Sequence, residues 1–359
     1  MVIHDSQRAM RKLSQVGYYR LSGFWYTSRI IRTSDEGLSF RSDDFLPGTS
    51  FEQAYDLYLF DKKLRMLMMD ALERIEIHIR SVIAHEVGRY DPLAYRKESY
   101  INQRLLNDGR NGKPSTFEKW RNKLDLKIQD SRDECIMWHL SQQKEIPFWV
   151  AVETWDFGQM SKYYAMLNGG MQAKIIKRLQ LDNKQTLTKW LQCLNLLRNR
   201  CAHHSRIWNR KHAVVPIPKS IFFDELKIDA RACERLYSAI CIMWYLVKMI
   251  GPGSTWIRQV AELFDKKPNM PGCSYESMAF RNQASLEPDS ETRLDSCMQT
   301  TTASRGPRRG LVQFLQHISC ASVSFIHGAM NIALLITSQR CAPDASRRCK
   351  CPYPTPCPL

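Results

Sequence analysis

The stretch LRMLMMDALERIEIHIRSVIAHEV (64–87) decides the fold. Leu64, Leu67, Met68, Ala71, Leu72, Ile75, Ile79, Val82 and Ile83 recur at steps of three and four residues, so one side of a helix is apolar along the whole stretch. The pattern reaches back to Phe51. Before it, FLPGTS (45–50) breaks the chain and offers Thr49 or Ser50 as the helix N-cap. Gly88 and then Asp91-Pro92 end it, which predicts one long helix over 51–87.

Working outward, NDGRNGKPS (107–115) reads as a polar loop, and a helical stretch is expected from Thr116 to about Gln143. Pro147 opens PFWVAVETWDFGQMSKYYAML (147–167), which Gly158 is expected to split into two short helices. Leu187, Trp190, Leu191, Leu194 and Leu197 mark an amphipathic helix that runs into Arg198–His204. Pro216 and Pro218 exclude a helix from WNRKHAVVPIPKS (208–220). Residues 229–249 predict another helix, with Cys233, Leu236, Tyr237, Ile240, Trp244 and Val247 on its buried face, and 254–265 a short last one. On the amino-terminal side, YYRLSGFWY (18–26) is too aromatic to sit in water and is expected to pack on a neighbour or form a short strand. No two-residue alternation is long enough for a substantial sheet, and no repeat of solenoid period occurs. The fold class is therefore all-α: a helical bundle with irregular insertions and a small aromatic-rich segment within residues 1–50.

The chain has 359 residues, 44% of them hydrophobic, which suffices for a sizeable core but not for a multi-span membrane protein. Lys plus Arg number 52 against 36 Asp plus Glu, a net charge of +16 that suits a polyanion such as nucleic acid, or that serves solubility alone. The start, MVIHDSQRAMRKLSQ, lacks the apolar run of a secretory signal, and Cys135, Cys193, Cys201, Cys233 and Cys241 fall within helical patterns without paired metal-ligand spacing. Reduced thiols in or near the core of a cytoplasmic protein are expected. From Ala284 onward Ser, Thr, Arg, Pro and Cys dominate, so 284–359 is expected to be a poorly ordered tail. Its uncharged stretch Gly310–Gln339 is long enough to span a bilayer, but Gln313, Gln316, His317, His327 and Asn331 interrupt it and disfavour a membrane helix. Cys341, Cys349, Cys351 and Cys357 match no two-pair zinc spacing, and no carboxylate cluster suggests a metal or other cofactor.

Chemistry concentrates in LRNRCAHHSRIWNR (197–210). Arg198 and His203 are separated by four residues, with the polar Asn199 directly after the arginine, and the run sits at the end of an amphipathic helix. This run is similar to the signature of the Abi-like abortive-infection family, a branch of the HEPN superfamily. GYYRLSGFWY (17–26), ALERIEIHIRS (71–81), His139, PFWVAVETWDFGQMSKYY (147–164), Trp190-Leu191 and an echo in PGCSYESMAFRNQ (271–283) resemble the family in the same order, over about residues 7–283. The resemblance implies a helical-bundle domain, a role in phage defence, and cleavage or binding of RNA. It also implies a homodimer in which two Arg–His segments meet at one cleft. On this sequence the pair is Arg198 and His203, with Asn199 beside them.

Those residue types fit metal-independent RNA cleavage. An imidazole can take or give a proton near neutral pH, and a guanidinium can hold two phosphate oxygens and the charge that develops on them. Positions five apart on a regular helix differ by about 140° in direction. Convergence of Arg198 and His203 thus requires a bend, the helix end or an opposing subunit. His204 either supports the pair or is a structural histidine bonded to a backbone carbonyl. Arg200, Arg206, Asn209 and Arg210 are candidates for phosphate contact or helix capping. Trp208 reads as core or as a stacking platform. Glu76 and Arg80, four apart, form either a solvated pair or a support in which Glu76 orients Arg198. Tyr18, Tyr19, Trp25 and Tyr26 either staple the first segment to the bundle or stack on unpaired bases of a structured non-coding RNA that restrains the protein. The competing reading keeps the same Arg and His but makes the chain a non-catalytic RNA-binding module. A third makes it a membrane-tethered effector.

Overall fold

Ser50 starts the helix on which the rest is built. Its hydroxyl accepts from the Gln53 N–H at 3.2 Å and the Gln53 side chain accepts from the Ser50 N–H at 2.9 Å, a reciprocal cap that satisfies two otherwise orphaned donors. The computed structural model describes residues 1–275 apart from 110, 111, 227 and 231. Within them the elements are α1 (Ser6–Val16), α2 (Tyr18–Trp25), β1 (Arg29–Thr33), β2 (Ser39–Phe45) and the capped α3 (Phe51–Gly88), followed by α4 (Gln103–Leu106), α5 (Thr116–Asp130), α6 (Glu134–Ser141), α7 (Phe148–Ala151), α8 (Phe157–Met166), α9 (Gly169–Arg178), α10 (Lys184–Ala202), α11 (Ile221–Glu225), α12 (Leu236–Ile250) and α13 (Trp256–Asp265). At 38 residues α3 is about 57 Å long. It contacts α2, α7, α8, α9, α10, α12 and α13, so it is the axis of an all-α architecture. Its core row Leu57, Leu64, Met68, Ala71, Leu72, Ile75, Ile79, Ile83 and Val87 is buried as the periodicity requires. At its end Gly88 is needed for space: a Cβ there would stand 3.3 Å from the Cβ of Phe148.

Several local expectations are corrected. The aromatic run 18–26 packs on a neighbour, α3, as one of its two expectations had it, and does so as a helix rather than a strand. Gly17, at φ 90°, lets the chain turn between α1 and α2, and Leu21, Phe24 and Trp25 then face inward at helical spacing. The antiparallel hairpin β1–β2, with Ile31 opposite Arg41 and Arg32 opposite Phe40, was not foreseen. It is held by cross-strand pairs, Arg29 with Asp43 at 2.8 Å and Arg32 with Asp44 at 2.5 Å, rather than by a buried face, so it leaves no apolar alternation to read. The stretch from Thr116 divides, because Asp133 accepts from the N–H groups of Cys135 and Ile136 and starts α6. In 147–167 the break falls at Trp155-Asp156, where Asp156 caps α8, and Gly158 lies inside that helix against Asn195 of α10. The helix expected over 229–249 begins only at Leu236, so Cys233 lies outside it, in a single tight turn. Cys193, Cys201 and Cys241 are buried free thiols, whereas Cys135 is exposed.

No helix among the described residues is long and apolar enough to cross a membrane. The tail 284–359, with Gly310–Gln339 and its cysteines, and most of the 271–283 echo lie outside the described residues.

Removing the α3 cap tests this account. Ser50→Ala should lower stability by about 1 kcal/mol, read as a fall in the urea midpoint with an unchanged slope. An unchanged midpoint would mean that the start of α3 is held by other contacts.

Candidate functional site

Leu187, Trp190, Leu191, Leu194, Leu197 and Cys201 bury one face of α10. That leaves Arg198 and Asn199 at the edge of the buried face and His203 exposed at the helix end. The end itself is a Schellman turn. The Ser205 N–H reaches the Arg200 carbonyl at 2.8 Å and the His204 N–H reaches that of Cys201 at 3.1 Å. His204 takes φ 57° there, the left-handed position usually given to glycine. Its carbonyl accepts from the Arg20 guanidinium at 2.8 Å. The role of His204 is thus first a backbone role, and it brings α2 beside the histidine pair.

The chain after the turn is held by Asp61 on α3. This fully buried carboxylate accepts from the backbone N–H groups of Ile207 at 3.1 Å and Trp208 at 2.7 Å, and pairs with Arg65 one turn along. Burial pushes its carboxyl up, against the pull of Arg65 and the two amides. Trp208 is core, in edge contact with Phe60.

Arg198 points to α3, where its Nε is 4.0 Å from the Glu76 carboxylate. Glu76 also pairs with Arg80, which lies 3.9 Å from Glu153. The Glu76–Arg80 pair is largely buried, not a solvated surface bridge, so one carboxylate serves two guanidiniums. Arg198 Nε is itself buried without a hydrogen-bond partner. No hydrogen bond or ion pair joins Arg198 to His203 among the described residues. The structure therefore brings Arg198, Glu76 and Arg80 together and places His203 beyond them at the helix cap.

The flanking cations divide. Arg200 donates to the Lys211 carbonyl at 3.0 Å and lies 3.3 Å from His212 Nδ1, and Arg206 donates to the Gly23 carbonyl and covers the Phe24 ring, so both brace the loop. Asn209, at φ 45°, accepts from Arg235 at 3.3 Å. Arg210 is exposed. Of the aromatic candidates, Tyr19 is 91% exposed and Tyr18 and Tyr26 about half. Trp25 must be withdrawn as a stacking residue: it is 3% exposed, packed against Tyr18 and Phe51.

Sequence reading missed Asp61, Arg65, Arg20 and His212. Asp61 and Arg65 did leave a signal, a charged pair four apart at otherwise apolar positions of α3. His212 is buried, and its backbone N–H donates to the Glu234 carbonyl at 2.8 Å. Burial, with the charges of Arg200, Arg210 and Arg235, pulls its imidazole down to about 4.

A family model described as Abi-like protein matches residues 11–209, more than half of the chain and inclusive of the whole Arg198–Asn209 run. No curated protein and no solved structure matches the chain.

Two measurements test the geometry. Asp61→Ala leaves Arg65 buried without its partner and two amides without an acceptor. It should cost about 3–5 kcal/mol and speed hydrogen exchange at Ile207 and Trp208. A loss under about 1 kcal/mol would mean that the loop is anchored elsewhere. For His212, the folded state holds fewer protons than the unfolded state between pH 6.5 and about 4, so stability is complete above that window and falls as pH drops through it. Against a His212→Asn variant, the wild type should lose at most about 3 kcal/mol more between pH 7 and 4. Parallel stability curves for the two proteins would refute the assignment.

Proposed function

We propose a function that starts from one fact, that the chain belongs to the Abi-like protein family, and hence from a role in phage defence by abortive infection. On that premise the protein is a cytoplasmic, metal-independent endoribonuclease whose toxicity a structured RNA restrains. The observation that carries this reading is the division of labour on α10: a guanidinium set against a shared, largely buried carboxylate, and an exposed imidazole at the helix cap.

Arg198, only half neutralised by Glu76, has charge to give to a phosphate. His203, exposed at the cap, takes the 2′-OH proton. The 2′ oxygen then bonds to phosphorus, the bond to the 5′ oxygen breaks, and the products are a 2′,3′-cyclic phosphate and a 5′-hydroxyl. One imidazole cannot accept one proton and donate another in the same step. The leaving oxygen is protonated by His203 of a second copy, which makes the working unit a homodimer with facing α10 ends. Asn199, on the same edge as Arg198, is placed to bond a phosphate oxygen. Tyr18 and Tyr19, exposed next to Arg20, stack on unpaired bases of the RNA in this reading.

The test is cleavage of total RNA by purified protein with EDTA present. His203→Ala and Arg198→Ala should each lower the rate at least about 100-fold without moving the thermal midpoint, and light scattering should report a dimer. Full activity in either variant, or strict need for a divalent metal, would remove the assignment. If the wild type binds RNA with steep salt dependence yet leaves it intact, the chain is a non-catalytic RNA-binding module.

A further inference from the structure

A pocket of about 320 Å³ lies beside the Arg198 cluster, and neither the proposed chemistry nor the Arg–His run accounts for it. His85, Gly88 and Arg89 on the α3 side form its floor, and Trp149, Val152 and Glu153 form its wall. Trp149 is 55% exposed, although its neighbour Phe148 is fully buried. The close approach permitted by Gly88 is to Phe148, the residue before Trp149, and Gly88 and Trp149 line the same pocket.

His85 and Arg89 line the pocket, and next to them, outside the lining, Arg178 stands 3.1 Å from the His85 ring. Among the described residues Glu86 is the carboxylate paired there, with Arg178 at 3.0 Å, Arg89 at 3.2 Å and His85 at 3.3 Å. Lys174 adds a further cation, its Nζ on the Tyr90 hydroxyl at 2.6 Å, and Arg89 donates to the same oxygen at 2.9 Å. At the opposite wall Glu153 carries an exposed carboxylate, joined to Arg198 through Arg80 and Glu76. Glu76 and His85 are nine residues apart on α3, about 14 Å along its axis, the reach of a few nucleotides.

An indole face open to solvent, cations at and beside the lining and one carboxylate acceptor are the complement of a nucleotide: a flat base, a phosphate, and N–H donors on the base edge. We propose that this pocket is a base-recognition subsite. It takes one unpaired nucleotide of the RNA strand whose neighbouring phosphate lies at Arg198, with the base stacked on Trp149 and its phosphate at Arg89 and Arg178. Glu153 makes the site selective for guanine, the base that presents an imino and an amino N–H side by side to a single carboxylate. This rests on the reading of the chain as an RNA-directed protein, but it assigns a separate surface and a base preference.

The experiment is calorimetric titration of the full-length protein with GMP, AMP, CMP and UMP. GMP should bind tightest. Trp149→Ala should weaken GMP at least about tenfold, and Glu153→Gln should erase the preference for GMP over AMP while leaving stacking. His203→Ala should bind GMP as the wild type does, so that loss of cleavage and loss of the subsite are read separately. Absence of GMP binding at about 1 mM, or unchanged GMP affinity in both Trp149→Ala and Glu153→Gln, overturns the subsite. If Trp149→Ala does not fold, Glu153→Gln alone decides, since its side chain lies at the surface. GMP binding by a protein that cuts no RNA would keep the subsite and remove the nuclease.

Discussion

The buried carboxylate of Asp61 is the constraint on which the candidate site depends. A charge fully removed from water needs its lone pairs satisfied. Asp61 meets that need with Arg65 from its own helix and with two consecutive amides, Ile207 and Trp208, from a distant part of the chain. Those amides lie in irregular backbone, where no helix or ladder supplies an acceptor. The bond therefore serves both sides, and it fixes the direction in which the chain leaves α10. With that direction set, Trp208 enters the core, the histidine turn stays at the surface, Arg206 reaches back to α2, and Arg20 reaches out from α2 to the turn.

The second arrangement is electrostatic. Glu76 stands between Arg80 and Arg198, and the longer of its two contacts is to Arg198. A guanidinium held this way is positioned by the protein but not saturated by it. Its Nε is buried without a hydrogen-bond partner and lies 4.0 Å from Glu76, so that carboxylate does not saturate it. On the proposed function, preorganised charge of this kind stabilises the transition state because it need not reorient when the phosphate becomes more negative. Burial works to raise the carboxyl of Asp156, but Lys127 at 2.5 Å, the Gln159 amide and, last, the charge of Arg198 hold it below its ordinary value. The arginine thus sits where the ends of α8, α10 and the middle of α3 meet.

What could be read from the sequence follows physical lines. The long helix was legible because burial on one face forces a three-to-four spacing, and α3 obeys it from Leu57 to Val87. The helix starts at Asp133 and Asp156 are each set by a single capping side chain, which leaves no periodicity to mark them. The hairpin was illegible because its strands are held by charge pairs and backbone rather than by an apolar face. Arg198, Asn199 and His203 were legible as a motif, and Glu76 and Arg80 as a pair from their spacing, with support of Arg198 as one of its two readings. Asp61, Arg20 and Glu153 were not, because each acts on residues far away in the chain: Asp61 on 207–208, Arg20 on 204, and Glu153 on Arg80.

Net charge was the least specific of the sequence signals, and the structure indicates why. In the run 197–210, Arg200 and Arg206 hold backbone carbonyls and Arg198 shares a carboxylate, so of the four arginines there Arg210 is the exposed one. Positive residues clustered in sequence are here largely internal braces. A polyanion gripping this protein by its phosphates would need cations presented at the surface. One group of that kind, Arg89, Lys174 and Arg178, comes from the end of α3 and from α9, separated by some 90 residues in the chain. Its excess over the single carboxylate of Glu86 arises only on folding. The fold thus draws charge inward along α10 to build a rigid arginine centre and gathers separate charge at the far end of α3, leaving the two connected along one helix by Glu76 and Arg80.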